Sequence, residues 1–230
     1  MSSDVIDLAG AADVRAANRR LQGRQGAVAG GRFEVLNPGG AHALAAGLMD
    51  DVEVVIRGPV GYYCAGMNKN ATVRIEGAAG VGLAENIMSG EVRVTGNASQ
   101  SAGASGHGGL VVIEGDAASR CGISMKGVDI VVGGSVGHNS AFMAQAGRLV
   151  ICGDAEDGLG DSIYEAQIFL RGAAKGLGAD CVEKEMRPEH EVQLAELLAR
   201  AGIDLPASAF RRYGSARSLY NFKVDNIGAY

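Results

Sequence analysis

The residue types that could carry chemistry are present in this chain, but they are scattered along it. The four cysteines form no CxxC pair and lie far apart: Cys64, Cys121, Cys152 and Cys181. The four histidines are equally distant from one another: His42, His107, His138 and His190. A reactive cysteine needs a neighbouring base, and a metal site needs several ligands at short spacing. We therefore interpret the thiols as reduced, buried structural groups, and expect no nucleophile or acid–base pair.

Two other patterns could indicate a ligand site. The first is a cluster of four carboxylates within eight residues: Asp154, Glu156, Asp157 and Asp161. The second is a set of three glycine pairs that look like pieces of a phosphate loop: Gly80-Val81-Gly82, Gly158-Leu159-Gly160 and Gly176-Leu177-Gly178. Calcium-binding β-helix repeats have a nine-residue period, which is absent here. None of the glycine pairs completes a dinucleotide or Walker motif. We interpret these patterns as a solvated acidic turn and as chain corners. The sequence thus predicts no catalytic, cofactor-binding or metal-binding residue on this chain.

The strongest pattern is a glycine that recurs every 19 residues, at Gly39, Gly58, Gly77, Gly96, Gly115, Gly134, Gly153 and Gly172. A short β-branched run precedes each glycine from Gly58 onward, as in Val73-Arg74-Ile75-Glu76 and Val92-Arg93-Val94-Thr95. Such runs predict strands of three to five residues. We expect each phased glycine to supply a corner with positive φ. A further apolar residue, such as Ile87 or Ile163, indicates a second strand in each unit.

A unit of 19 residues is too short for two strands, their turns and a helix of usual length. The pattern therefore predicts an all-β fold, a parallel β-helix of about eight coils. The L-x-x-L-x-L pattern of leucine-rich repeats is absent, and the six-residue rhythm of left-handed β-helices fails at Gln100. The general handedness of parallel crossovers favours right-handed winding.

A stack of coils has two open ends, and the flanking segments are candidates to cover them. We predict an N-terminal cap in residues 1–30 with a helix over Ala11–Leu21. The β-helix domain would span residues 31–186. Residues 187–230 would form a helix from about Met186 to Arg200 and an aromatic tail. Because Ala209–Tyr230 holds two Phe and three Tyr, we expect this arm to contact a partner or to brace the stack.

Composition limits the possible function classes. The net charge of −5 and the lack of a basic stripe give no support for nucleic-acid or membrane-surface binding. No apolar run is long enough for a membrane span, and the first residues do not resemble a signal peptide. With no cysteine pairing pattern, we expect a reduced, cytoplasmic protein.

The glycine-cornered repeat over about residues 30–185 resembles the C-terminal GXGXG β-helix domain of the large subunit of glutamate synthase. The same domain occurs as a separate subunit in formylmethanofuran dehydrogenase. The closing stretch, Tyr213-Gly214-Ser215-Ala216-Arg217-Ser218-Leu219-Tyr220-Asn221-Phe222, resembles the end of the stand-alone β-helix subunit of N-methylglutamate synthase.

The resemblance implies a non-catalytic subunit of a hetero-oligomer that converts methylamine and glutamate to N-methylglutamate and ammonia. Its expected partners are a glutaminase-like subunit and an FMN-binding barrel subunit, with FMN, and an iron–sulfur cluster where one exists, held by the latter. The chain begins Met1-Ser2, so the N-terminal cysteine nucleophile of the glutaminase part is not found at that position. Two alternatives stay open, namely a subunit of a formylmethanofuran-type one-carbon complex and a stand-alone β-helix that binds a ligand.

Overall fold

The computed structural model describes residues 3–10, 13–23 and 31–217, and these form a parallel β-solenoid with two α-helices. One sheet contains all the strands in the order β1-β2-β3-β4-β5-β6-β7-β8-β9-β11-β10. The elements are β1 (Asp4–Asp7), α1 (Val14–Leu21), β2 (Arg32–Leu36), β3 (Glu53–Arg57), β4 (Thr72–Ile75), β5 (Glu91–Val94), β6 (Leu110–Ile113), β7 (Lys126–Val132), β8 (Ala146–Ile151), β9 (Gln167–Leu170), β10 (Cys181–Lys184), α2 (Pro188–Ala201), a 3₁₀ turn (Ala207–Ala209) and β11 (Arg211–Ser215).

The strand register confirms the predicted 19-residue repeat. Strands β2 to β9 are eight neighbours joined by seven turns of chain, each paired in parallel with the next. From β3 onward, equivalent residues are 19 apart, as in the row Val54, Val73, Val92 and Val111. Their side chains are buried in the interior. The right-handed winding stays a prediction from the general crossover rule.

The first turn departs from the period, because Phe33 pairs with Val54, which is 21 residues later. Leu36 pairs with Arg57, so the residue that lies beside Gly58 is Asn37 rather than Gly39. Gly39 is therefore not a member of the glycine column, although its sequence spacing fits. Gly39 does have the positive φ predicted for a corner, at 54°, but the prediction that it continues the column was wrong.

Gly58 has the predicted positive φ, at 134°, but the later column glycines are required for a different reason. None of Gly77, Gly96, Gly115, Gly134, Gly153 and Gly172 has a positive φ. A Cβ on Gly96 would lie 2.7 Å from the carbonyl oxygen of Gly77, and one on Gly77 would lie 2.7 Å from the carbonyl carbon of Gly58. Real Cβ atoms do not approach backbone so closely. Glycine is present because successive turns touch here.

The side chains that follow Gly96, Gly115, Gly134 and Gly153 link successive turns by hydrogen bonds. The backbone N–H of Asp116 donates to Asn97 Oδ1 at 2.9 Å, and that of Ser135 donates to Asp116 Oδ1 at 2.7 Å. The same bond links Asp154 N–H to Ser135 Oγ and Ala173 N–H to Asp154 Oδ1. A Cβ on Gly115, Gly134 or Gly172 would collide with the side-chain oxygen of this ladder.

The second predicted strand is absent from the described residues of every turn. In its place each turn has a curved five-residue segment, here called the arc. The first, third and fifth residues of each arc have a left-handed backbone conformation, with positive φ. The arcs are 43–47, 63–67, 82–86, 101–105, 120–124, 139–143 and 158–162. Their N–H groups point alternately to the turns above and below, since Tyr63 donates to Val81, Ala65 to Leu44 and Met67 to Glu85. Isolated parallel bridges, such as Ala79 with Ala98, mark a further column between strand and arc.

The N-terminal end is covered as predicted by a helix, and also by strand β1, which pairs in parallel with β2. Helix α1 lies against the first arc. Asn18 Nδ2 donates to the Ala43 carbonyl at 2.7 Å, and the Ala45 N–H donates to Asn18 Oδ1 at 2.8 Å. Gln22 Nε2 donates to the Ala46 carbonyl at 2.7 Å. These side chains replace the hydrogen bonds that a further turn would have made.

The C-terminal segment is arranged differently from the prediction. Helix α2 does not cover the end of the stack. It lies on the outer face of the sheet, where Leu194, Leu197 and Leu198 join the apolar side chains that point outward from the later strands: Leu110, Val112, Val131, Val150, Cys152 and Phe169. Strand β11 then enters the sheet antiparallel between β9 and β10. The part of the expected partner arm in 209–215 thus braces its own stack, and residues 218–230 lie outside the described residues.

Replacing Gly96 with alanine is expected to lower the free energy of unfolding by about 3 kcal/mol, because the new methyl group overlaps backbone that cannot move without breaking register. Gly214→Ala is the matched control. A Cβ on Gly214 would lie 3.8 Å from the nearest atoms, which is ordinary van der Waals contact. The free energy of unfolding should therefore change by less than about 0.5 kcal/mol. Urea denaturation of both variants tests this, and equal midpoints would contradict the close-contact explanation.

Asn18→Ala should lower the free energy of unfolding by about 2 kcal/mol, since it leaves the Ala45 N–H and the Ala43 carbonyl without their partner. Arg19→Ala, at an exposed position of the same helix, is the control and should have little effect. The two denaturation midpoints are compared directly. A tolerated Asn18→Ala would mean that α1 is not needed to close the first turn.

Candidate functional site

All four cysteines are buried and free. Burial raises the pKa of Cys64 and of Cys121 to about 12, and raises the pKa of Cys152 and of Cys181 to about 11. Cys64 and Cys121 point into the solenoid interior, whereas Cys152 lies beneath α2 on the outer face of the sheet. Since the thiolate is the reactive form, this environment makes the four groups poor nucleophiles.

The histidines lie apart, and each has its own surroundings. The ring of His42 stacks on Tyr62 with a centroid distance of 3.6 Å, and its Nδ1 accepts the Tyr62 N–H at 3.2 Å. His107, two residues after the arc 101–105, and His138, one residue before the arc 139–143, are both exposed. His190 is half-buried rather than exposed as predicted, and desolvation together with the Arg212 guanidinium lowers its pKa.

The carboxylates of the acidic cluster make hydrogen bonds and ion pairs with nearby residues of the stack. Asp154 belongs to the side-chain ladder described above. Glu156 pairs with Lys175 Nζ at 3.1 Å, with Asp157 at 3.9 Å from the same ammonium group. Asp161 accepts a hydrogen bond from Ser162 Oγ. Within residues 3–10, 13–23 and 31–217, no three histidine, cysteine or carboxylate groups come together in a metal-ligand arrangement.

Gly80-Val81-Gly82 and Gly158-Leu159-Gly160 lie at the starts of arcs, Gly176-Leu177-Gly178 lies after the last arc, and none of the three leads into a helix. Gly82, Gly158 and Gly160 have the positive φ expected of corners. Gly80 is packed against the backbone of Gly61, since a Cβ on Gly80 would lie 2.5 Å from the Gly61 carbonyl carbon. A phosphate loop needs free N–H groups at a helix N-terminus. The Gly160 N–H is instead bonded to the Ser140 carbonyl, and that of Gly178 to the Leu159 carbonyl.

The outer face of the early strands is a network of ion pairs. Arg57 lies between Glu34 at 2.6 Å and Glu76 at 2.5 Å, and Arg74 contacts Glu76 and Glu114 at 3.6 Å. Hydrogen bonding to Arg57 lowers the pKa of Glu76, and hydrogen bonding to the two carboxylates raises the pKa of Arg57. These exposed charges neutralise one another, so this face carries little net field for a charged ligand.

Seven large apolar side chains remain exposed in the arcs or within two residues of them. Tyr62, Met67, Val81 and Met88 come from two consecutive turns and are 40–55% exposed. We call these four residues the arc patch. Met49 lies on the turn before them, and Met143 and Tyr164 occur further along the same side of the stack. Tyr62 and Val81 occupy equivalent positions of adjacent turns. An exposed apolar patch is typical of a protein-binding site, and methionine is well suited to it because its side chain adapts to a partner.

Sequence reasoning missed the arc patch, because the period was assigned to strands and the arcs were interpreted as a second strand. A signal was present. Tyr62 and Val81 are 19 residues apart, as are Lys69 and Met88, so the columns of the arc can be written out once the register is known. The described residues contain no helix long and apolar enough to cross a bilayer.

The buried thiols should react with a soluble disulfide reagent at pH 8 about a hundredfold or more slowly than free cysteine, because the raised pKa leaves little thiolate. All four should react at once when the protein is unfolded in guanidinium chloride. Stopped-flow thiol titration with and without denaturant measures both rates. One thiol that reacts at the free rate in the native protein would identify an activated cysteine.

Comparison with known proteins gives one strong similarity. The chain is 59% identical over 227 residues to Protein GlxC of Rhizobium meliloti (strain 1021), and the alignment covers 98% of this chain and 99% of that protein. No family model matches the chain, and no solved structure matches it. At this identity and coverage, the chain belongs to the family of Protein GlxC.

Proposed function

We propose that this protein is a non-catalytic scaffold subunit of a glutamate-synthase-like N-methylglutamate synthase in the cytoplasm. It would dock a glutaminase-like subunit and an FMN-binding barrel subunit, and those partners would carry the chemistry. FMN, and an iron–sulfur cluster where the complex has one, would belong to the barrel subunit. The identification of the complex rests on the resemblance of the repeat and of its closing residues.

The observation that carries the docking role is the arc patch. The backbone beneath its side chains is held rigidly, because it is hydrogen-bonded to the turns above and below. A rigid apolar surface loses little conformational freedom on binding, which favours affinity. Tyr62 is also fixed by its stacking on His42. A preorganised patch of one tyrosine, two methionines and a valine has the composition of an interface centre.

The environments of the reactive residue types support a scaffold role. The thiols are buried with raised pKa values, and the clustered carboxylates hold backbone or lysine partners. General acid–base catalysis needs groups that can exchange protons with a substrate at working pH. The residues of the described chain are committed to holding the stack together instead.

Met67→Lys is expected to disrupt assembly with a partner without loss of stability, because it places a charge in the centre of the arc patch. Thr72→Lys adds the same charge five residues later, on the outer face of the sheet, and is the matched control. Both positions are exposed. The wild-type chain and the two variants are each co-expressed with the glutaminase-like and flavin-barrel subunits. The recovered complex is quantified by size-exclusion chromatography.

We expect Met67→Lys to reduce the recovered complex by about tenfold, which corresponds to about 1.4 kcal/mol, and Thr72→Lys to leave it unchanged. Turnover of methylamine and glutamate by the wild-type complex tests the reaction. A wild-type chain that binds neither partner would overturn the scaffold proposal. Assembly with one-carbon enzymes in their place would favour the formylmethanofuran-type alternative.

A further inference from the structure

Helix α2 has a second apolar surface that its packing on the sheet does not use. Its inner side is filled by Leu194, Leu197, Leu198 and Ala201 against the outer face of the sheet. At Gly202, with φ of 74°, the helix ends and the chain turns back beside it. A groove of about 410 Å³ lies between the helix and this returning segment, lined chiefly by Ala195, Leu198, Ala199, Ile203, Leu205 and Pro206.

The groove is held in place at its helix end. Arg93, on strand β5, donates from Nη1 to the Ala201 carbonyl at 2.7 Å and from Nη2 to the Arg200 carbonyl at 3.2 Å. A cation at the C-terminal end of a helix satisfies its last carbonyls and interacts favourably with its dipole. The Ile203 N–H donates to the Leu198 carbonyl at 2.9 Å, which fixes the start of the returning segment. The groove is thus a preformed feature.

The shape of the groove suits a helix. Ala195 and Ala199 are four residues apart on one face of α2, and both are exposed. Small side chains at this spacing let another helix approach to about 8 Å between axes. Val192, which is 58% exposed, extends the same face by one turn. A helix laid in an apolar groove is a common recognition mode, in which residues at i, i+3, i+4 and i+7 supply the anchors.

The charge around the groove selects the partner. Asp204 of the returning segment lines the groove, and Glu189, Glu191 and Glu196 are exposed along α2. Within residues 3–10, 13–23 and 31–217, only Glu189 of these four has an ion-pair contact, with Arg187 at 3.9 Å. The one arginine of α2, Arg200, stands at its C-terminal end. Acidic groups around an apolar groove favour a partner with lysine or arginine beside its apolar anchors.

We infer that this acidic-rimmed groove is the docking site for a basic amphipathic helix of a partner subunit. The inference rests on the proposed function, since the partner is one of the two subunits named there. It adds a second contact, at α2, that shares no residue with the arc patch. One subunit would bind at each site, and the solenoid would set the distance between them.

The test uses the full chain co-expressed with the glutaminase-like and flavin-barrel subunits. Ala199→Glu places a bulky anion in the groove, and Gln193→Glu adds the same charge to α2 at a residue that faces the other side of the helix, near Arg148. We expect Ala199→Glu to reduce the recovery of one partner by about tenfold and Gln193→Glu to change it by less than twofold. Glu196→Lys, which alters an exposed charge and no packing, should weaken the same partner and reduce the salt dependence of its binding.

Carbodiimide coupling of the wild-type complex identifies the partner chemistry, because it joins carboxylates to lysines in direct contact. We expect cross-links from Glu196 or Asp204 to lysines on a helix of that partner. If the complex forms and neither Ala199→Glu nor Glu196→Lys weakens it, the groove inference fails while the proposed function stands. Cross-links from the groove to a second copy of this chain would also overturn it. If the wild-type chain assembles with neither subunit, both proposals fail.

Discussion

The short, constant distance between successive turns is the constraint on which the rest of this structure depends. Parallel strands are spaced about 4.8 Å apart, and each turn must keep this distance around its whole circumference, in strands and arcs alike. The left-handed residues of the arcs cost about 1–2 kcal/mol each. They persist because the alternating N–H groups, such as those of Tyr63 and Ala65, would otherwise lose their bonds to the turns above and below. Leaving such groups unpaired would cost about 1–3 kcal/mol each.

This constraint explains which parts of the fold could be predicted from the sequence. A period reports where equivalent residues lie, so the strands from Val54 to Leu170 and their register follow directly from it. The period gives no information about φ, and for that reason the column glycines from Gly77 onward were assigned the wrong role. Gly96 is needed because the backbone of Gly77 lies against it. These two residues are 19 positions apart in the sequence, so their contact is not visible from the local sequence. The arcs were missed for a related reason, since left-handed alanine, serine and asparagine have no distinctive sequence pattern.

The position of α2 could have been predicted from the strands. In β4 and β5 the outward residues are Arg74 and Arg93, so hydrophobic and polar residues alternate as in a sheet with one solvated face. In β6, β8 and β9 the corresponding residues are Val112, Val150 and Phe169, which are fully buried. Strands that are apolar on both faces require a cover on each. The sequence therefore indicated that something lies over the later half of the sheet, although it could not indicate that the following helix supplies it.

A stacked repeat also limits what chemistry a chain can carry. Residues of one column are separated by multiples of about 4.8 Å, so Cys64 and Cys121, three turns apart in the same inward column, are about 14 Å from each other. Groups that cooperate in catalysis must be within hydrogen-bond reach, which requires reactive side chains on adjacent turns. Here the neighbours of Cys64 in its column are Leu44 and Leu83. What this solenoid offers is long, rigid sides with different properties, an apolar arc patch on one and an acidic-rimmed groove on another. Two partners that must be held at a fixed separation can use such a surface without any reactive group on the chain between them.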